Sequence, residues 1–462
     1  TMGALCSKSE LCVPAQPTSD PISQDVRDTL RASFPSVEIF FFGEDAYING
    51  DAREWALHGK HHEFFPAGIV RPNSSADVAG ILKLANKHNV SVAIKCGGHS
   101  TVSMSKALIL DMIKLNSVEV DASATPPTVK IGGGALNCDV DAACASHGLA
   151  VTLGNAPSVG CIGATMGGGV GFMARWIGLT IDSLLSATLV LANGSIVEAS
   201  PDGDHIDLFW AIRGGGGNFG IVVSFTLKAV KMGWDDSKGP GRLLTGVRVV
   251  RHAHGAAICF GNGIGAAAVF CKWRDYAVKE APDHVSCDCF LPTGGPMVQQ
   301  YSYKGCVEEA RTEMKKWKSL GNAAITNFKV NSYHTGLQQE MTKQFEGKTP
   351  LPHTWRVIVA VALPDEAVKI LLHAVNEGRP NDISVIHVER LGGAIDKYNG
   401  GAFAQRGALF WISCIGMYGI KGHVAPGMKD KVDKWLDKLT TDLAPYVKAP
   451  VDNEALGSEK GM

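Results

Sequence analysis

Clustered glycine constrains this chain more than any other feature. The runs Gly97-Gly98, Gly132-Gly133-Gly134, Gly167-Gly168-Gly169 and Gly214-Gly215-Gly216-Gly217 recur over about 120 residues and punctuate apolar extended stretches. Glycine reaches backbone conformations closed to other residues, so such runs turn sharply and aim their amide N–H groups inward, where an anionic group can sit. A chain that groups its glycines in this way brings main chain close to something flat or anionic. The first run is the most informative. An apolar extended stretch, 90–94, leads into Lys95-Cys96-Gly97-Gly98-His99-Ser100, and a histidine directly after the turn projects its imidazole into the pocket that the amides line.

The surrounding pattern alternates strands and helices. A short strand near 65–71 precedes a helix opening at Ser75, with Val78, Ile81, Leu82 and Ala85 at helical spacing and a stop near Asn89. Extended segments are expected at 107–112, 118–120 and 129–131, then a helix over 137–147 that stops at Gly148. Residues 184–191 and 195–199 read as strands joined by an Asn193-Gly194 hairpin turn, and 221–227 as the last strand of this region. After about residue 235 the style changes. Candidate strands at 245–250, 355–362, 383–390 and 408–415 alternate with amphipathic helices over 365–377 and 428–443, as in a sheet with helices on one side. The expected fold class is α+β.

Composition excludes several functions. Lys plus Arg is 44 and Asp plus Glu is 45, so there is no basic excess of the kind a nucleic-acid binder uses. No apolar run approaches the length of a membrane span. The 12 cysteines form no metal pattern, because Cys287-x-Cys289 is too tight for a zinc knuckle and lacks a partner pair, so no metal is expected. Cys6 and Cys12 suit a tied-down N-terminus. Two acceptor sequons, at Asn73 and Asn193, are compatible with secretion, and a secretory localisation is expected, with a vesicular or cytoplasmic one as the alternative.

Glycine architectures differ, and two are excluded. The stretch from Gly169 to Ala174 formally matches a Rossmann G-x-G-x-x-A, but a buried strand does not precede it and no acidic residue ends a following strand. No phosphate-loop motif occurs. The runs instead suggest a long cofactor laid across many loops.

Residues 66–230 resemble the FAD-binding domain of the berberine-bridge-enzyme-like branch of the vanillyl-alcohol-oxidase superfamily. The resemblance rests on Gly97-Gly98-His99-Ser100, Leu110-Asp111, Gly132-Gly133-Gly134, the segments 159–163 and 167–171, Arg175-x-x-Gly178-Leu179-Thr180-x-Asp182, Asn193-Gly194 and the segment 207–220, in the family's order. Gly392-Gly393-Ala394 and the segment 402–406 are similar to its substrate-domain strand. This resemblance implies a PCMH-type FAD-binding domain of two α+β subdomains over 1–234. It also implies a substrate domain over 235–420, with an antiparallel sheet flanked by helices, and a segment over 421–462 that returns to the FAD domain. A monomer acting on a small molecule and O2 is expected.

By the same resemblance, Cys96, Gly97, Gly98, His99 and Ser100 together with Gly154, Ala156, Ser158, Val159, Gly160 and Gly163 would hold the FAD diphosphate and ring, joined by Gly168, Gly171, Gly220 and Val222. His99 matches the histidine that relatives bond to the flavin's 8α-methyl carbon. Ala156 stands where many relatives carry a second, cysteinyl tether, so a single link through His99 is expected, with Cys161 not replacing the thiol. Val159 matches the position where oxygen-using relatives carry valine, which implies an oxidase. The base is less clearly marked: relatives supply a glutamate six residues before the arginine matching Arg406, and this chain has Gly400 there. Tyr398 is the first substitute, then Glu389, then Tyr333 with His334 behind. Period-two alternation puts His387 and Glu389 on one face of their strand and Arg390 on the other, without saying which face meets the flavin. The expected function is an FAD oxidase of an alcohol, phenolic, sugar or specialised metabolite, yielding hydrogen peroxide. The alternative is a flavoprotein with a reduced redox role, acting as a cyclase or binding protein.

Overall fold

The structure is a computed structural model that describes residues 22–45, 47, 66–99, 106–232, 242–249, 266–291, 296–302, 312, 324–332, 353–420, 423–424 and 426–451. Three sheets carry it. The first has the order Glu38–Phe41, Gly68–Arg71, Leu108–Asp111, Val92–Lys95, with the last three strands parallel. The helix Ser75–Lys87 covers it because Val78, Ile81, Leu82 and Ala85 fall on one face and are buried. Ser74 caps that helix, accepting from the Asp77 amide at 3.1 Å, and Asn89 ends it in a left-handed conformation (φ 54°). At the strand ends, buried Asp111 accepts from Lys95 Nζ at 2.8 Å and Arg71 Nε at 3.2 Å, which fixes the backbone just before the first glycine turn.

The second sheet is antiparallel, in the order Val118–Asp121, Thr128–Gly132, Ile221–Lys228, Leu184–Val190, Ile196–Ala199. The Asn193-Gly194 hairpin forms as expected, with Gly194 at φ 76°. The helix Asn137–Ala145 packs on this sheet through Val140 and Cys144.

The third sheet has eight strands in the order Ala324–Ser332, Arg242–Val249, Met297–Ser302, Val285–Leu291, Val385–Arg390, Phe410–Met417, His353–Ala360, Val447–Val451. Helices Ala266–Lys279, Asp365–Asn376 and Met428–Leu443 close one face, burying Trp273, Leu371, Trp435 and Leu436 against Cys287, Cys289, Ile386, Val388 and Ile412. Alternation then sends Ser286, Asp288, Phe290, His387, Glu389 and Ser413 to the opposite face. That face meets the glycine-rich region: Trp355 and Trp411 pack with Val170, Leu179 and Ile181, and Ser286 Oγ donates to the Phe172 carbonyl.

Of the expected C-terminal segment 421–462, the described residues lie on the large sheet rather than on the first domain: Val447–Val451 pairs with the edge strand His353–Ala360. Met428–Leu443 likewise buries Val432, Trp435 and Leu436 on the large sheet. An apolar helix stripe and an open sheet edge both find their partner there.

Arg175 pins the two halves together. Its buried guanidinium donates to the carbonyls of Val285 (3.0 Å), Leu391 (2.6 Å) and Ala281 (3.1 Å), all in the second half. Arg175→Ala would leave these acceptors unpaired around a void, and is expected to cost about 3–5 kcal/mol in denaturant unfolding. Arg175→Lys should recover only part of that, since one ammonium cannot reproduce the fork.

Candidate active site between the glycine loops and the large sheet

The strand Val92–Lys95 delivers the first glycine turn against the loop 154–160. Gly97 and Gly160 are in backbone contact: a Cβ on Gly97 would stand 2.3 Å from the Gly160 nitrogen, and one on Gly160 would stand 2.4 Å from Cys96 Sγ. Gly98 turns with φ 71°. The loop is held from behind by Asn137, whose Nδ2 donates to the carbonyls of Gly154 (3.2 Å) and Ala156 (3.0 Å) and whose amide donates to that of Val159 (3.0 Å). Gly171 is locked beneath Leu153, where a Cβ would fall 1.8 Å from its carbonyl oxygen. Gly163, by contrast, faces open space, with nothing within 4 Å of such a Cβ.

His99 sits at this junction with Nε2 2.9 Å from Ser158 Oγ. Burial, and then the nearby His353, lower its pKa to about 4 against the opposing bond to Ser158, so the ring is neutral at physiological pH. The neighbouring thiols go the other way. Burial raises Cys96 to about 11 and pushes Cys161, in the core with Cys144, well above its ordinary value. Both stay protonated, and a protonated thiol is a poor nucleophile.

The large sheet answers the question of facing. His387 and Glu389 point at the loop, where Asn155 Nδ2 donates to Glu389 Oε1 at 2.7 Å, while Arg390 points to the helical side and donates to the Ala277 carbonyl. Asp288 lies directly opposite Glu389 on the neighbouring strand. His387 stands between them, with Nε2 3.6 Å from Asp288 Oδ2 and Nδ1 3.8 Å from Glu389 Oε2. Its two nitrogens address two different carboxylates, and one ligand atom from each of the three side chains lies within 4.8 Å of the others. Burial foremost, with Asp288 adding to it, raises the Glu389 pKa, while His387 and Asn155 act to lower it.

Tyr398 is 40% exposed and lies against Gly178 and Asp182, beside the Arg406–Asp182 ion pair rather than on Asn155. Arg213 fills the space next to Gly400, its guanidinium 3.1 Å from where a Cβ would be. Gly168 (φ 120°) packs on Phe403. Gly220 (φ 148°) immediately precedes the strand Ile221–Lys228 of the second sheet, and Val222 lies in that sheet's core. Ser100, Tyr333 and His334 lie outside the described residues. Sequence singles out neither Asn155 nor Asp288, and places His387 only on the strand face it shares with Glu389. The Cys287-Asp288-Cys289 alternation held the signal for Asp288, since a charge between two core cysteines must face the other way.

These residues fit an FAD. Glycines in contact leave no side chain over the turn, and buried Asn155 Oδ1, without a hydrogen-bond partner, lies at the joint, where His387 Nε2 and Asp288 Oδ2 face each other at 3.6 Å, beyond hydrogen-bond distance. A further such atom, Asp141 Oδ2, lies within the helix behind the loop. Burial raises the Asp141 pKa well above the ordinary carboxylate value. The native state therefore keeps a proton that the unfolded chain has released above about pH 4. Stability should fall as pH rises from there until the native carboxyl itself ionises. Asp141→Asn is expected to flatten that fall and to melt several degrees higher than wild type at mildly alkaline pH, in thermal scans compared with mildly acidic ones.

Comparison with known proteins agrees. Residues 66–200 match the FAD binding domain family FAD_binding_4. The chain is 37% identical over 202 residues to the FAD-linked oxidoreductase pgmH of Aspergillus terreus, covering 42% of this chain and only 40% of that relative. Over 90% of the chain the fold is similar to that of glucooligosaccharide oxidase from Acremonium strictum, with a TM-score of 0.76, 20% identity and 86% of that chain covered. Physcomitrella patens BBE-like 1 gives a TM-score of 0.76 at 19% identity, covering 93% of this chain and 90% of that one. Among the described residues no helix is long and apolar enough to cross a membrane. The chain thus carries an FAD binding domain over residues 66–200 and shares its overall α+β fold with these two solved proteins.

Proposed function

We propose that the chain is an FAD-dependent oxidase of a small hydroxylated organic substrate, with the flavin tethered once, through His99. When bound, FAD supplies the two-electron acceptor, and its reoxidation by O2 yields hydrogen peroxide. The loops around Gly97 and Gly160 would cradle the diphosphate through main-chain amides. His99, neutral and held by Ser158, presents a ring nitrogen for the tether. Glu389 takes the proton from the substrate hydroxyl, and Phe290, Trp355 and Trp411 supply flat apolar surface on the same face of the sheet.

The observation that carries this reading is the Asn155–Glu389 hydrogen bond at 2.7 Å. It sets a buried carboxylate on the loop that, three residues later, holds His99. Sugar alcohols and hemiacetals are the first substrates to try, because the glucooligosaccharide oxidase shares the fold. Secretion fits the exposed positions of Asn73 and Asn193, and glycosidase treatment of the native protein would show it as a loss of mass.

The test is anaerobic mixing of the purified protein with oligosaccharides, aliphatic and aromatic alcohols, and phenols. Bleaching of the visible flavin band, followed by recovery and peroxide on admitting air, supports the proposal. A flavin that no class reduces, with products cyclised instead, would overturn it.

A further inference from the structure

Asp288 and Glu389 face each other across adjacent strands, and both are buried. Two carboxylates directly opposite repel, and in a dry interior that repulsion drives one of them to keep its proton. His387, on the same face two residues before Glu389, separates them. Phe290, its register partner, stacks on the imidazole at 3.8 Å with the planes 5° apart, which fixes the ring so that its two edges address the two acids.

We propose that Asp288 and His387 are positioning residues that set the protonation of Glu389 from opposite sides, His387 as its cation and Asp288 as its competing anion. The inference rests on Glu389 as the proton acceptor. The charged groups acting on Glu389 are His387 and Asp288, and those acting on His387 are Glu389 and Asp288. Across the sheet the His387 neighbour is neutral Ser413, and from the loop Glu389 meets neutral Asn155. Among the described residues the balance is thus set by three side chains. Burial works to lower the His387 pKa, and the two carboxylates outweigh it and raise it by stabilising the charged ring.

The proposal predicts opposite signs for two variants. His387→Gln removes the cation and leaves Asp288 acting alone, so Glu389 should hold its proton to higher pH. Asp288→Asn, nearly isosteric, removes the anion and should let Glu389 ionise at lower pH.

Infrared difference spectra of the flavin-loaded protein against Glu389→Gln isolate the Glu389 carboxyl band, which can be followed through a pH series without substrate. The midpoint should rise by about one pH unit or more in His387→Gln, a tenfold change in ionisation constant, and fall by a similar amount in Asp288→Asn. Shifts of the same sign, or none, would overturn the proposal. Should His387→Gln fail to fold, Asp288→Asn still decides it alone, since a purely structural Asp288 would leave the midpoint in place. No turnover enters this measurement. Failure of the oxidase reading would show instead as unbleached flavin in the anaerobic experiment.

Discussion

Precipitated with acid, the wild-type protein is expected to keep its yellow colour in the pellet, whereas His99→Ala should release it to the supernatant. The reason is local chemistry. Forming a bond from nitrogen to the flavin's 8α carbon requires a lone pair, and the buried His99 ring, with a pKa lowered to about 4, has one at any physiological pH. The thiols that could compete are held protonated, Cys96 at about 11 and Cys161 well above its ordinary value. Because the cradle is main chain, the variant should still bind FAD, now dissociably. Absorbance of pellet and supernatant checks both statements.

Glu389→Gln is expected to lower the turnover of any reducing substrate by about 10²- to 10⁴-fold, the usual worth of a positioned base. Glutamine can still accept the Asn155 hydrogen bond, so flavin content and melting temperature should stay near wild type. In the parent, activity needs the ionised carboxylate. Its pKa is raised, chiefly by burial, so activity should fall as pH drops through a midpoint above the ordinary carboxylate range. Stopped-flow reduction of the flavin across pH reads both the rate and that limb. Tyr398→Phe, by contrast, should leave the limb unchanged, because Tyr398 is seated against Gly178 rather than on Asn155.

Local signals carried far in this chain. Ser75 and Asn89 bracket a helix, Asn193-Gly194 closes a hairpin, and the apolar stripe of Met428–Leu443 names its helix to the residue. Glycine clustering likewise marks the loops that bring Gly97 against Gly160, since backbone contact excludes every side chain there. What could not be read is what depends on pairing between distant segments. Alternation puts His387 and Glu389 on a common face, but only the docking of three helices on Ile386 and Val388 decides that this face looks toward Asn155. Asp288 joins them through strand register, a relation between residues about a hundred positions apart in the chain. The seat of Val447–Val451 on the large sheet is set by which edge lies open, and no local pattern encodes an open edge.

The claim underlying all of this is that FAD is bonded to one imidazole beside the interlocked glycines. Proteolysis of the coloured protein, followed by mass spectrometry of the fluorescent peptide, tests it most directly. The expected product is a peptide containing Gly97, Gly98 and His99 with the full mass of FAD on the histidine. A colourless protein, or a flavin carried on any other residue, would contradict it.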